Sequence, residues 1–223
     1  MRSTSMAQIF HPSMNTIAKA SIFGFLFFIA AAAWIGAELV RSPYNTQVRV
    51  IRQQPVPFSH EHHVSGLGID CRYCHTTVTE SSFAGMPTTK TCMTCHSKMW
   101  TNAAMLEPIR ESWRTGVAVQ WQRVNFVPRY VYFNHSIHVN KGVGCSTCHG
   151  RVDQMPLTWR AASLRMEWCV DCHRQPERYV RPREKVFDMT WTAPANQLAL
   201  GRELVKQYDI PVSRMTDCYV CHR

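Results

Sequence analysis

All ten cysteines of this 223-residue chain fall into one pattern, given five times. The pattern is Cys-x-x-Cys-His, at Cys71/Cys74/His75, Cys92/Cys95/His96, Cys145/Cys148/His149, Cys169/Cys172/His173 and Cys218/Cys221/His222. No cysteine is left for a structural disulfide. Paired cysteines also build tetrahedral zinc sites, but zinc does not require a histidine directly after the second thiol. Histidine is 11 of 223 residues, and five such placements by chance have odds on the order of one in a million. The pattern reads instead as covalent attachment of haem c: two thiols add across the haem vinyl groups, and the histidine becomes the proximal iron ligand. Five motifs predict five haems.

Each iron then needs a distal ligand. Outside the motifs stand six histidines: His11, His60, His62, His63, His135 and His138. Phe58, His60, His63 and Val64 recur in register as Phe133, His135, His138 and Val139, each set followed by two motifs. The two sets differ by one residue in their distance to the next cysteine. The plan is His-x-x-His, haem, haem, given twice, with a fifth motif at Cys218. Two histidines three residues apart suit two irons better than one, so His60, His63, His135 and His138 are the expected distal ligands. By analogy with smaller cytochromes, the first of each pair serves the nearest downstream haem and the second another. His62 has no counterpart and reads as a surface histidine; His11 precedes an apolar segment and is excluded. The remaining iron is expected to take a methionine, a ligand that raises the potential relative to bis-histidine. Met155 and Met166, between the third and fourth motifs, are the candidates, with Met189 after the fourth. An open fifth iron would point instead to small-molecule catalysis.

The organisation follows. Residues 1–16 are a polar N-terminus, expected in the cytoplasm. Between Lys19 and Glu38 run 18 residues without a charge, enough for a membrane helix with help from its flanks. A cleaved signal peptide competes because of the small residues Ala30 to Ala33; the segment 17–40 reads as an uncleaved signal-anchor. Arg41, Arg49 and Arg52 follow the helix while Arg2 and Lys19 precede it, which argues weakly against an outside haem domain. Haem c is attached on the outer face of the bacterial inner membrane, and that chemistry overrules the charges. Residues 41–57 read as a linker and 58–223 as a haem domain, with repeats at 58–100 and 133–175 and the fifth haem at 210–223.

Five haems leave about 36 residues each, too few for a large aliphatic core. The fold class expected is mostly α with much irregular structure, wrapped around the porphyrins. Trp100 to Trp113 reads as a helix presenting Met105, Ile109 and Trp113 on one face, interrupted by Pro108 and ended by Gly116. Val117 to Phe133 reads as an extended arm packing over haems, with protein docking as the alternative. Gln175 to Pro194 reads as irregular and Ala195 to Tyr208 as an amphipathic helix; Val48 to Ile51 suits a strand. The formal charge of +10 falls by roughly five once haem propionates and ferric irons are counted. The arginines are scattered, so nucleic acid is not an expected partner.

Phe-x-His-x-x-His-Val followed by Cys-x-x-Cys-His is similar to the small cytochrome c7/c3 class. The longer segments Gly68-Ile-Asp-Cys71-Arg-Tyr-Cys74-His75, Cys92-Met-Thr-Cys95-His96-Ser97, Val131-Tyr-Phe-Asn-His135-Ser-Ile-His138-Val139 and Met166-Glu-Trp-Cys169-Val-Asp-Cys172-His173-Arg174 together resemble the pentahaem cytochrome c subunit of alternative complex III. That resemblance implies an electron relay rather than a lone enzyme. In the family, integral-membrane subunits oxidise menaquinol, and an iron–sulfur, molybdopterin-like subunit passes the electrons to this cytochrome. A monohaem cytochrome or another acceptor then receives them on the periplasmic side. The alternatives are a quinol dehydrogenase of the tetrahaem anchor type feeding a terminal reductase, and a multihaem reductase with one open iron.

Overall fold

The structure, a computed structural model, describes residues 9–222 and divides into two compact units, with the boundary between Gln47 and Val48. Residues 1–8 of the expected N-terminal segment, Arg2 among them, and Arg223 lie outside the described residues.

The first unit is α1 (Ser13–Arg41), followed by a single turn, α2 (Pro43–Thr46). At 29 residues α1 is long and apolar enough to cross a membrane, and none of its side chains is buried. Its length is about 43 Å, against about 30 Å for a hydrocarbon core. It is compatible with a membrane anchor or a signal peptide. Pro43 bars its residue neighbour from helical geometry; Ser42 is accordingly extended, and both its amide and its hydroxyl donate to Leu39 O.

The second unit is built from short helices and loops: α3 (Cys71–Cys74), α4 (Thr89–His96), α5 (Glu107–Thr115), α6 (His135–Asn140), α7 (Cys145–His149), α8 (Met166–Arg174), α9 (Gln197–Gln207) and α10 (Cys218–Cys221). Each Cys-x-x-Cys-His lies on one of these helices or ends it, so the motif residues are held by backbone hydrogen bonds before anything is attached. Among the described residues extended pairing amounts to three isolated bridges, Val48 with Arg160, Ile51 with Trp159, and Val143 with Val180. The expected strand at Val48 to Ile51 is present only as two of these.

Three small apolar clusters form the core: Val56, Leu106 and Ile109; Val78, Val139 and Val186; and Val180, Leu204 and Tyr208. The largest fully buried side chains among the described residues are Met155, Val180 and Val186. Such satellites cannot by themselves hold 170 or so residues together, since folding costs about 1–2 kcal/mol of backbone entropy per residue.

The helix expected over Trp100 to Trp113 starts later, at Glu107, with Pro108 in its first turn where a missing N–H costs nothing. A 3-10 turn, Ala104–Leu106, precedes it, and Gly116 caps it in the left-handed conformation. Its buried face is Leu106, Ile109 and Ser112; Met105 and Trp113 are half exposed and do not share it. The arm from Val117 to Phe133 is irregular: Val119 and Trp121 pack on the first cluster, and Gln122 exchanges two hydrogen bonds with the side chain of Gln54. Helix α9 approaches the turn Pro176–Arg178 so closely that a Cβ on Gly201 would lie 1.9 Å from Glu177 O.

Candidate haem-attachment sites

The two His-x-x-His segments adopt nearly one geometry on different scaffolds. In the second repeat His135 and His138 lie on α6. In the first, His60 precedes and His63 lies within a π-helical turn, Glu61–Gly66. A π turn is an α turn carrying one inserted residue. It absorbs the single-residue difference in the distance from each pair to its next cysteine. Phe58 contacts both rings of its pair, edge-on to His60 at 4.9 Å and stacked on His63 at 4.4 Å. Phe133 meets His135 edge-on at 4.7 Å and His138 at 4.5 Å, the latter tilted by 31°.

Hydrogen bonding fixes which imidazole nitrogen is available. A carbonyl can only accept, so a ring nitrogen that faces one must carry the proton and leave its lone pair on Nε2. The Nδ1–H of His63 donates to Ser59 O (2.8 Å) and that of His138 to Asn134 O (2.7 Å), each the carbonyl four residues back. His135 donates to Ser82 O (2.9 Å), and the proximal His75 to Gly85 O (2.7 Å). His96 donates to Met99 O (3.3 Å), His173 to Met215 O (2.8 Å) and His222 to Tyr130 O (3.1 Å). His60 shares a 3.0 Å hydrogen bond with Thr158 Oγ1. These are the contacts that orient histidines for a metal.

The rings then meet in pairs. His63 and His96 have centroids 6.3 Å apart, His135 and His149 6.4 Å, and His138 and His173 6.1 Å. Two imidazoles on opposite sides of one metal, with nitrogens about 2.0 Å from it, have centroids a little over 6 Å apart. The three separations suit that geometry. His60 has His75 and His149 as its electrostatic neighbours; burial first, then these rings, hold it down to about 4. Burial holds His149 at about 4 as well and lowers His135 and His138. Burial thus favours the neutral form of these rings, the form an iron ligand would need.

The ten thiols are all free, so none is lost to a disulfide. Burial pushes Cys145 up to about 11, Cys148 to about 12 and Cys172 to about 11, each with neighbouring cysteines adding to the effect. Among the described residues no three His, Cys, Asp or Glu side chains converge as they would on zinc. The donor set therefore fits haem c: reduced thiol pairs, a histidine after each, and facing imidazoles with Nε2 available.

The methionines differ. Met155 is 2% exposed, and its Cε lies 3.9 Å from where a Gly150 Cβ would stand, beside His149. Met166 is 70% exposed at the start of α8, and Met189 is buried. His62 is exposed, edge-on to His63 at 5.3 Å and stacked with Trp100 at 5.9 Å, and faces no proximal histidine within these ring contacts. His11 is exposed beside Ser13.

Some supporting residues were not singled out from the sequence. Arg181 is buried against the third motif, stacked over Trp191 at 4.4 Å. It donates to Ser146 Oγ (3.1 Å) and Thr147 Oγ1 (3.2 Å), the two middle residues of that motif, while its Nε has no partner. Gly144 makes room for it, since a Cβ there would lie 2.1 Å from the guanidinium carbon. Thr158, Ser82 and Gly85 gave no signal because polar and small loop residues carry no periodicity.

Comparison with known proteins agrees with this chemistry. Residues 131–223 match the model of cytochrome c7 and related cytochrome c, and residues 38–113 match that of the class III cytochrome c family. These families imply covalently bound haem c, and the class they define together with the repeated motif is the multihaem cytochrome c. A 99-residue stretch, 44% of this chain, is 34% identical to the menaquinone reductase, multiheme cytochrome c subunit, of Nitratidesulfovibrio vulgaris strain Hildenborough. The match spans 46% of that relative's length, less than half of it.

Proposed function

We propose that the chain is a membrane-anchored pentahaem cytochrome c that relays electrons within a quinol-linked respiratory or photosynthetic complex of the alternative complex III kind. The observation that carries this reading is the set of facing histidines, with three ring pairs at 6.1–6.4 Å. Haem iron supplies a one-electron carrier when bound. The residues of the chain do the rest. Cys71, Cys74, Cys92, Cys95, Cys145, Cys148, Cys169, Cys172, Cys218 and Cys221 hold the macrocycles, and His75, His96, His149, His173 and His222 take the proximal positions. His63, His135 and His138 take the distal positions of the second, third and fourth sites, and His60 that of the first. Four of the five sites would then have a histidine on either side and no open position for a substrate, which favours electron transfer over catalysis.

For the fifth site Met166 is the better candidate than Met155, because the Met155 side chain is packed beside the third site. A histidine–methionine site would stand at a higher potential than its bis-histidine neighbours. Near-infrared magnetic circular dichroism of the oxidised protein tests this: four bis-histidine signals and one histidine–methionine band are expected. Five bis-histidine signals, or fewer than five haems by pyridine haemochrome assay, would overturn the assignment.

The domain reading places α1 in the inner membrane and the haem domain on the periplasmic side. The partners are then an iron–sulfur, molybdopterin-like subunit, polytopic quinol-binding subunits and a soluble acceptor such as a monohaem cytochrome. A second reading is favoured by the relative's name: in a menaquinone reductase the electrons run towards the quinone. Mild-detergent purification with mass spectrometry of what accompanies the chain tests the complex. Reduction of the haems by a menaquinol analogue, against their oxidation by a menaquinone analogue, tests the direction.

A further inference from the structure

The five motifs do not follow one another in space as they do along the chain, and their links are all visible. The first and second are joined through their attachment helices: Tyr73 Oη, from the middle of the first motif, hydrogen-bonds Thr94 Oγ1, from the middle of the second, at 3.0 Å. Their distal histidines, His60 and His63, share one turn and one phenylalanine. The first and third are joined by a single loop. Ser82 O accepts from His135, whose ring faces His149 of the third motif, and Gly85 O, three residues on, accepts from His75 of the first.

The third and fourth motifs share α6, where His135 faces His149 and His138 faces His173. The fourth and fifth are joined by the hydrogen bond of His173 to Met215 O, three residues before Cys218. The electrostatic neighbours of the thiols repeat the sequence: Cys92 acts on Cys74, Cys71 on Cys145, Cys172 on Cys148 and Cys221 on Cys169.

We infer that the haem sites form a row in the order second, first, third, fourth, fifth. This rests on the reading of the five motifs as haem sites, and deepens it. The junction between the repeats is then made by their first haems, and the second haem of repeat one is pushed out to an end. The two ends of the row are the second site, where Cys95 and Trp100 are exposed, and the fifth, where Cys218 and Tyr219 are exposed. An electron crossing the whole row would meet the first motif second from one end and fourth from the other, never at an end.

Nuclear Overhauser contacts between haem substituents in the fully reduced, diamagnetic protein in detergent test the order. Each haem is assigned by replacing its distal histidine with methionine, one variant at a time (H60M, H63M, H135M, H138M). Contacts are expected between the second and first, first and third, third and fourth, and fourth and fifth haems. A contact between the second and third haems, with none between first and third, would overturn the order. Where a variant does not fold, the iron positions located by anomalous scattering in crystals of the wild-type protein decide the same question. The pyridine haemochrome count separates the two failures: five haems in another order would sink this inference alone, and fewer than five would sink the reading beneath it.

Discussion

At the residue scale the decisive feature is which atom of a histidine is spoken for. Seven of the motif and pair histidines named above give Nδ1–H to a carbonyl, and each is thereby turned so that Nε2 is its basic nitrogen. The histidines themselves were legible in the sequence, because a motif and a registered repeat point to them. Their partners were not, because a backbone carbonyl belongs to every residue and Ser82 differs in no visible way from Ser81. Arg181 was equally silent, one arginine among many until the fold put it on Ser146 and Thr147. A positive charge beside the third motif would disfavour a ferric iron there more than a ferrous one, so its expected effect is to raise the potential of that site. Arg181→Met is expected to lower one midpoint in a spectropotentiometric titration and to cost about 1–3 kcal/mol through lost hydrogen bonds. Arg181→Lys should keep most of the midpoint while losing the stacking on Trp191. If both variants change stability and neither changes a midpoint, the role of Arg181 is packing alone.

At the element scale the π-helical turn is the clearest departure from what the sequence predicts. The sequence shows that the two repeats differ by one residue between histidine pair and cysteine. It does not show where the extra residue goes, since a loop after the turn would absorb it as well. The structure puts it inside the turn, where Leu67 N donates to His62 O, five residues back. Deletion of Gly66 therefore gives the first repeat the spacing of the second. The expected outcome is an α turn, with the bis-histidine spectrum of all four such sites retained and a modest loss of thermal stability. Loss of one bis-histidine signal from the oxidised spectrum would mean that the π geometry is needed by the ligand itself. The helix at Gln197–Gln207 was readable to within two residues at either end. That at Glu107–Thr115 was readable at its end, where Gly116 caps it, but its start lies seven residues after Trp100, at the turn that holds Pro108. The packing of Met105 and Trp113 was not, because an apolar spacing does not say which face the neighbours choose.

At the scale of the whole molecule the apolar clusters are small and the ligand set is large. The second unit is expected to depend on its cofactors for folding, in the way small metal-binding domains do. Expressed without a haem-attachment system, the chain should show no cooperative thermal transition in its haem domain. The matured protein should show one, by circular dichroism at a wavelength free of haem absorption. A sharp transition in the haem-free chain would overturn this. The mostly helical, loop-rich class and the N-terminal apolar helix were legible from composition and motif spacing. The interlocking of the repeats was not, because it is carried by hydrogen bonds across more than fifty residues of sequence.

That interlocking bears on how the protein is made. His60, in the first repeat, is held by Thr158 of the second, and His135, in the second, is held by Ser82 of the first. Each half supplies a brace for a candidate ligand of the other. If haem were attached while the chain is still being made, the first repeat would receive it before the support for His60 exists. Its first iron would sit with a loosely held partner until residue 158 arrives, exposed meanwhile to oxygen and to foreign ligands. The two repeats are in this way indivisible: neither half alone would carry all the braces that its own histidines use.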